Sequence, residues 1–563
     1  MNKETGVLLL PSGEAQALRR RIPELPGWDL GRRGLCDLEL LMQGAFAPLG
    51  GYMSREQYES VLAGMRLPDG RLWPLPICLA LPEAVAGALE PGAELALNDR
   101  EGFPLAVLRV EELWRPDRRA EALALFGTDD PSGHAGVRRF FEEPCDYYVS
   151  GPLLGLHLPV HHDFLDLRRS PDELRTSFRR MGWSRVLGTH PHRLLHRMDR
   201  EVLLGAARRA DANILLMPAA DQPFLVDDDH FHKVRCHRAF FRNLPEGMAQ
   251  LGLLPLASRG AGPREAMLQA LALKSCGCTH FLVDASQGEP QPCNGAHAYP
   301  PRAAFELLER HADELGIEPV LAESLRYHSR RRCFLPAAQV RPEESVAPPT
   351  PEELDTLLEF GRDIPSWYVF PDVLEEMRRA HPPRHRQGFS VFFTGLSGAG
   401  KSTLAKILYV RFMEEGSRPV TLLDGDIVRR NLSSELGFSR EHRVLNVTRI
   451  GFVASEIVKN RGIAICAPIA PYEEARRANR ELISQYGGYV EIHVSTSLEV
   501  CERRDRKGLY AKARAGLKKG VTGVDDPFEP PQHADLSLDT SGLSPEEAAR
   551  KVFLLLEQMG YVR

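Results

Sequence analysis

Short apolar runs broken by Gly and Pro fill residues 1–165, as in Leu75-Pro76-Ile77-Cys78-Leu79-Ala80-Leu81 and Pro104-Leu105-Ala106-Val107-Leu108-Arg109-Val110. Punctuated runs of this kind predict a β-rich unit. From 166 to 340 the pattern changes: strand-like 213–217 and 279–283 alternate with helical stretches such as 263–273. That is the rhythm of a parallel α/β sheet. Residues 341–387 read as a connecting subdomain. A Pro- and Glu-rich linker (341–353) leads to short helices at 352–360 and 371–380, then to a second linker, 381–387. From 388 to 563 strand and helix alternate again, opening on the buried-strand pattern Phe389–Thr394 and a helix at 404–415. The pattern shows no internal repeat and no low-complexity tract.

Length and composition narrow the picture. At 563 residues the prior is about three to four domains of roughly 150 residues each. Hydrophobic residues at 43% and charged residues at 26% exclude a disordered chain, a fibre or a disulfide scaffold. The charge balance, 71 basic against 76 acidic for a net −5, gives no global basic field for a nucleic acid. Any polyanion must then be small and held by local donors. No run approaches the roughly 18 apolar residues of a membrane span. The start, Met1-Asn2-Lys3-Glu4-Thr5, lacks the pattern of a signal peptide, so a cytoplasmic protein is expected. The ten cysteines are scattered, and Cys276-x-Cys278 is not a zinc or redox spacing; reduced thiols are expected.

The chemistry concentrates after the strand at 389–394. Gly395-Leu396-Ser397-Gly398-Ala399-Gly400-Lys401-Ser402-Thr403 has the G-x-x-x-x-G-K-S spacing between strand and helix that a nucleoside triphosphate needs. Its glycines let successive N–H groups point at phosphate oxygens, and the helix N-terminus adds its positive end. Lys401 is expected to reach the β- and γ-phosphates and the Ser402 hydroxyl to ligate Mg²⁺. A second strand, 420–423, ends in Asp424-Gly425-Asp426. Carboxylates there can hold metal-bound water or take a proton from an attacking hydroxyl; a helix N-cap pair is the structural alternative.

These residues extend into longer strings: Asp424 to Arg429, Leu436-Gly437-Phe438-Ser439, Arg443 to Asn446, Ile469-Ala470-Pro471-Tyr472, Cys501 to Tyr510 and Thr522 to Glu529. In this order they resemble adenylylsulfate kinase over about 390–535. The resemblance implies that the 3′-hydroxyl of adenosine 5′-phosphosulfate (APS) attacks the ATP γ-phosphate, giving 3′-phospho-APS and ADP. It implies that Arg429, Arg443 and Asn446 hold the phosphosulfate, where forked guanidiniums suit an oxyanion. Phe438 and Phe528 would sandwich the APS adenine, with Ile469 and Lys507 completing the pocket. Asp426 would orient or deprotonate the 3′-hydroxyl and Asp424 support the metal. Arg503 would contact ATP within a cationic lid at 503–519. Two departures stand out. Ala470 occupies a position where some members carry Ser, a phosphoenzyme site, which leaves direct in-line transfer. Thr448 stands where Arg is commoner, removing one phosphate contact.

The front of the chain resembles ATP sulfurylase over about 30–375, through Leu38 to Leu49, Gly151-Pro152-Leu153, Val234-Arg235-Cys236, Ala261 to Ala266 and Ile364-Pro365-Ser366-Trp367-Tyr368. This implies a PUA-like N-terminal domain and a Rossmann-like nucleotidyltransferase domain ahead of the phosphate-loop kinase, and homo-oligomers (dimer or hexamer). The family's reactive string Q-T-R-N-P-x-H-x-x-H is altered here: His190, His192 and Arg193 replace Gln, Arg and Asn, His196 is kept, and Asp199 replaces the second His. Its G-R-D-H-A-G string becomes Asp284-Ala285-Ser286-Gln287-Gly288. A carboxylate facing a triphosphate at about 4 Å costs about 4 kcal/mol per pair at an effective dielectric near 20. The expectation is a degenerate sulfurylase site serving structure or regulation; the alternative is a true two-step enzyme. The His clusters (190, 192, 196; 161–162; 230, 232, 237) read as hydrogen-bonded rather than as a metal site.

Overall fold

The computed structural model describes residues 6–220, 228–290, 297–505 and 507–563. The start at 1–5 and Arg506 of the cationic lid lie outside the described residues. The chain divides into two compact units, one of residues 1–348 and 365–380, the other of 349–364 and 381–563. The connecting segment is thereby shared: the Pro351–Glu359 helix packs in the second unit and the Pro371–Ala380 helix in the first.

In the first unit the punctuated runs form a seven-stranded, mostly antiparallel sheet centred on the long strand Tyr147–Gly155. Pro104–Arg109 lies beside it; of the run at 75–81 only Leu79–Leu81 is strand. The α/β portion is a five-stranded, all-parallel sheet in the order Ala249–Leu251, Asn213–Leu216, Val186–Thr189, His280–Val283, Glu318–Leu321. The Pro263–Ser275 helix is buried over most of its length, with Glu265 and Gln269 inside as well as its apolar residues. A small three-stranded antiparallel sheet over 325–346 follows, which the patterning did not anticipate.

The second unit repeats the plan. Its parallel sheet runs Val420–Asp424, Ile463–Ala467, Phe389–Thr394, Gly488–Val494, Leu536–Leu538. The Phe389–Thr394 strand is buried on both faces: Phe389, Val391 and Phe393 enter one core, Phe392 the other. A central parallel strand covered by helices on both sides has no solvent face, so it reads as an unbroken apolar run. In both sheets the middle strand carries the loop described next, and its carboxyl end is where such sheets bind ligands.

Candidate active site

The loop after Phe389–Thr394 turns on glycines that no other residue could replace. Gly395 has φ 140°, and a Cβ there would lie 2.4 Å from the Val494 carbonyl oxygen. Gly400 (φ 113°) is the N-cap of the Lys401–Glu415 helix, and among the described residues no side chain caps that helix start. Its first N–H groups are thus open to an anion. Lys401 is buried, and its Nζ donates to the Gly395 and Leu396 carbonyls at 2.8 Å each. Burial first, then Lys507, lowers its pKa from the ordinary 10.5 to about 8. Ser402 and Thr403, exposed, follow on the first helical turn.

The loop's carbonyls are tied from outside. Tyr510 Oη donates to Ser397 O at 2.9 Å, and Thr540 Oγ1 to Ala399 O at 2.9 Å. Arg504 donates to Thr540 Oγ1 and Thr540 O, both at 2.9 Å, and approaches Gly398 O and Ala399 O at 3.5 Å. Sequence reasoning chose Arg503, which is exposed, and missed Arg504 and Thr540. Thr540 falls beyond the strings that carried the resemblance; Arg504 lies inside one, but adjacent arginines on a helix carry no mark of which turns inward.

Asp424 ends its strand and accepts from the Asp426 N–H at 3.1 Å, so it is the helix N-cap as well as a carboxylate at the sheet's edge. Asp426, exposed, is ion-paired with Lys507. The Ser402 hydroxyl and the Asp424 carboxylate are hard oxygen donors that leave Mg²⁺ the waters and phosphate oxygens it prefers, so the residues fit that ion.

Phe438 is 53% exposed, as are the surface phenylalanines Phe103 and Phe452 at 60% and 59%. Arg429, Arg443 and Lys518 lie 4.0, 5.7 and 5.4 Å from its ring centre. Both guanidiniums are also committed to the backbone. Arg429 donates to Leu436 O and Gly437 O; Arg443 donates to Phe438 O at 2.9 Å, Thr522 Oγ1 at 2.9 Å and Gly520 O. They brace the Phe438 loop. Asn446 is buried with an Oδ1 that has no hydrogen-bond partner among the described residues. Phe528 stacks on His493 with centroids 5.8 Å apart. Ile469 O accepts from Thr394 Oγ1 at 2.9 Å, and buried Ala470 sits at φ 46°. The Thr448 hydroxyl bonds back to Val444 O at 3.0 Å.

In the front unit the Val186–Thr189 strand feeds the string His190 to Asp199. His190 is buried, its Nδ1 2.7 Å from Met217 O, and burial holds it well below the ordinary histidine range. His192 Nε2 lies 2.9 Å from Gln269, which Gln287 bonds in turn at 2.6 Å. His196 stacks on Tyr368 and meets its hydroxyl at 2.8 Å; burial lowers it to about 4. Of the other clustered histidines, His161 meets Glu39 at 3.0 Å and His230 meets Asp163 at 2.7 Å, whereas His237 Nδ1 is buried with no hydrogen-bond partner among the described residues.

Asp199 corrects the repulsion argument. Its carboxylate does not face an open cleft: it accepts from the His196 N–H at 2.7 Å and pairs with Arg193, with Nη1 at 3.0 Å. At the third position of the Arg197–Ala210 helix it serves that helix's own N-terminus. The sequence shows an Asp in place of a His but not that Arg193 neutralises it.

Family models match in three places: PUA-like domain over 4–157, ATP-sulfurylase over 165–380 and adenylylsulphate kinase over 387–539. A sulfate adenylyltransferase of Chaetomium globosum is 42% identical over 95% of this chain and 94% of its own, and one of Aspergillus fumigatus 41% over 97% and 95%. The chain belongs to the sulfate adenylyltransferase family. It is a fusion of an ATP sulfurylase portion with an adenylylsulfate kinase domain. A solved structure titled hexameric APS kinase from Thiobacillus denitrificans superposes with TM-score 0.77 at 38% identity, covering 99% of this chain and 98% of its own. Among the described residues no helix is long and apolar enough to cross a membrane.

Proposed function

We propose that this member of the family is an APS kinase, transferring the γ-phosphoryl of ATP to the 3′-hydroxyl of APS. The observation that carries it is the uncapped helix start behind Gly400, with buried Lys401 beside it and Asp426 across the sheet edge. Gly395 to Thr403 cradle the triphosphate; Lys401 turns from the loop carbonyls to the β- and γ-phosphates, with Arg503 on the lid side. Ser402 and, through water, Asp424 would hold Mg²⁺ bound with ATP, which would supply charge neutralisation on the phosphates. Asp426 accepts the proton as the ribose 3′-oxygen bonds to the γ-phosphorus and the bridging oxygen leaves with ADP. Phe438 and Phe528 stack the APS adenine, Ile469 and Lys507 border it, and Arg429, Arg443 and Asn446 hold the phosphosulfate. Binding thus has to exchange the backbone bonds of Arg429 and Arg443 for substrate oxygens. The test is γ-labelled ATP with APS: label on the ribose of the product supports the reading, and label only in inorganic phosphate overturns it.

For the front unit the relatives favour retained sulfate adenylyltransferase activity over its loss. They carry that name over 94–95% of their own length, and Asp199 offers no bare charge to a triphosphate. The second reading, a degenerate site, rests on the substituted string itself, where His190 and His192 replace the Gln and Arg that the resemblance gives as sulfate ligands and Arg193 replaces Asn. Sulfate-dependent pyrophosphate release by the full chain, lost in His192→Ala, supports the first; its absence returns the chain to a kinase alone. The hexamer named for the Thiobacillus protein supports a homo-oligomer here, which light scattering reads directly.

A further inference from the structure

Within the second unit, Ala470 is buried at φ 46°, in the left-handed region that a Cβ disfavours. A residue other than glycine stays there only where its surroundings over-determine it. Two donors do so here. Thr394 Oγ1 lies 3.0 Å from Ala470 O and 2.9 Å from Ile469 O, so one hydroxyl proton is shared between two carbonyls. Arg476 Nη1 donates to Ala470 O at 2.7 Å and, being charged, is the stronger hold.

Arg476 lies in the first turns of the Glu473–Ile483 helix and is fully buried. Its Nη2 donates to Glu529 O at 2.8 Å and to the Glu473 carboxylate. Its Nε lies 3.1 Å from Glu491, a buried carboxylate that Arg480 also meets at 3.3 Å. The guanidinium thus joins two segments far apart in sequence, at Ala470 and at Glu529. Beside it the Glu529 N–H donates to Pro471 O at 2.8 Å. Ile469 flanks this junction on one side and Phe528 on the other, both half-buried. A buried guanidinium is a poor stabiliser, since desolvation is costly and apolar residues of like volume often serve a core as well or better. Lysine would match the charge but would replace a rigid planar fork with one mobile nitrogen. What this guanidinium adds is geometry.

We propose, resting on the APS kinase reading above, that Arg476 is a positioning residue for APS. By fixing Ala470 against Glu529 it sets the gap between Ile469 and Phe528 that receives the adenine. The experiment is calorimetric titration of the full chain with Mg-ADP alone, and with APS at saturating Mg-ADP, which fills the phosphate loop but has no γ-phosphoryl to transfer. In Arg476→Lys the Kd for APS should rise about tenfold. The Kd for Mg-ADP should change by less than about twofold, since Thr394 Oγ1 and the Gly395 N–H still hold Ile469 O. In turnover, KM for APS should rise by the same factor with kcat nearly unchanged. Glu473→Ala, at a side chain 44% exposed, removes one acceptor of the fork without emptying the core and should raise the Kd for APS about threefold. Equal loss of APS and Mg-ADP affinity in Arg476→Lys would show a role in the fold alone and overturns the proposal, as does an unchanged Kd for APS. Should Arg476→Lys fail to fold, an unchanged Kd in Glu473→Ala overturns it instead. Wild-type protein that binds APS but forms no 3′-phospho-APS refutes the kinase reading, and the Kd comparison still decides the role of Arg476; wild-type protein that binds no APS refutes both.

Discussion

The two parallel sheets place the same geometric question before two different sequences. In each, the third strand of five runs into a loop that opens a helix: Val186–Thr189 into the His190 string, Phe389–Thr394 into the glycine loop. In the kinase the loop is backbone, and the helix start has no side-chain cap among the described residues. In the front unit the loop is filled with side chains, and Asp199 has taken the first N–H while Arg193 has taken Asp199. An anion arriving at the kinase helix finds donors waiting. One arriving at the front helix has to compete with a carboxylate already installed. The difference lies not in fold but in who satisfies the orphan donors that every helix start exposes.

The contrast breaks most sharply at Lys401. Lys401→Ala should lower kcat for 3′-phospho-APS formation about 10³-fold, since a positioned cation on the transferring group supplies several kcal/mol. Sulfate-dependent pyrophosphate release, where it occurs, should be unchanged. Phosphoryl transfer within tenfold of wild type would show that the glycine loop is not the reactive one. Asp426→Asn comes next, with an expected loss of about 10²-fold or more in kcat and little change in KM for ATP, the signature of a lost proton acceptor. If KM moves and kcat does not, Asp426 is a binding residue only.

A smaller effect follows from the lowered pKa of Lys401, about 8. Below that value the ammonium is present; as pH rises through it, the free protein loses the charge that meets the phosphates. kcat/KM for ATP should therefore fall roughly tenfold per pH unit above about 8. Saturating ATP favours the ammonium and should move the same limb of kcat to higher pH. Lys401→Arg, which stays charged, should abolish the limb. Stability runs the other way: between about 8 and the ordinary 10.5 the unfolded chain binds the proton that the folded lysine has lost, so stability rises with pH across that window.

What the sequence disclosed depends on whether the chemistry is written in backbone or in contacts. The β-rich front, both parallel sheets and the phosphate loop were legible because period, length and glycine spacing are local. The Phe389–Thr394 strand is bounded as its apolar run is, and the 404–415 helix only gained its first turn. The Arg504–Thr540 clamp was not legible, since it joins residues 36 apart around a loop a hundred residues earlier. Asp199 was misjudged for the same reason: its role depends on Arg193 reaching over from the loop ahead of the helix, a choice of rotamer rather than of residue. The commitments of Arg429 and Arg443 to loop carbonyls are likewise tertiary.

The smallest effect probes the installed carboxylate itself. Asp199→Asn keeps an acceptor for the His196 N–H but removes the charge, whereas Asp199→Ala removes both. If the bond to the helix start is what holds this loop, alanine should cost about 1 kcal/mol locally and asparagine only a few tenths. The whole chain is multidomain, so the readout should be local: exchange of the amides at 196–200 should quicken about fivefold in the alanine variant and much less in the asparagine one. Equal quickening in both would mean that the ion pair with Arg193, not the helix bond, sets the loop. That outcome would narrow the contrast drawn between the two helix starts, because a loop held by Arg193 alone would leave the His196 N–H open to an anion while the Arg197 N–H stays bonded to the Tyr368 carbonyl at 3.0 Å.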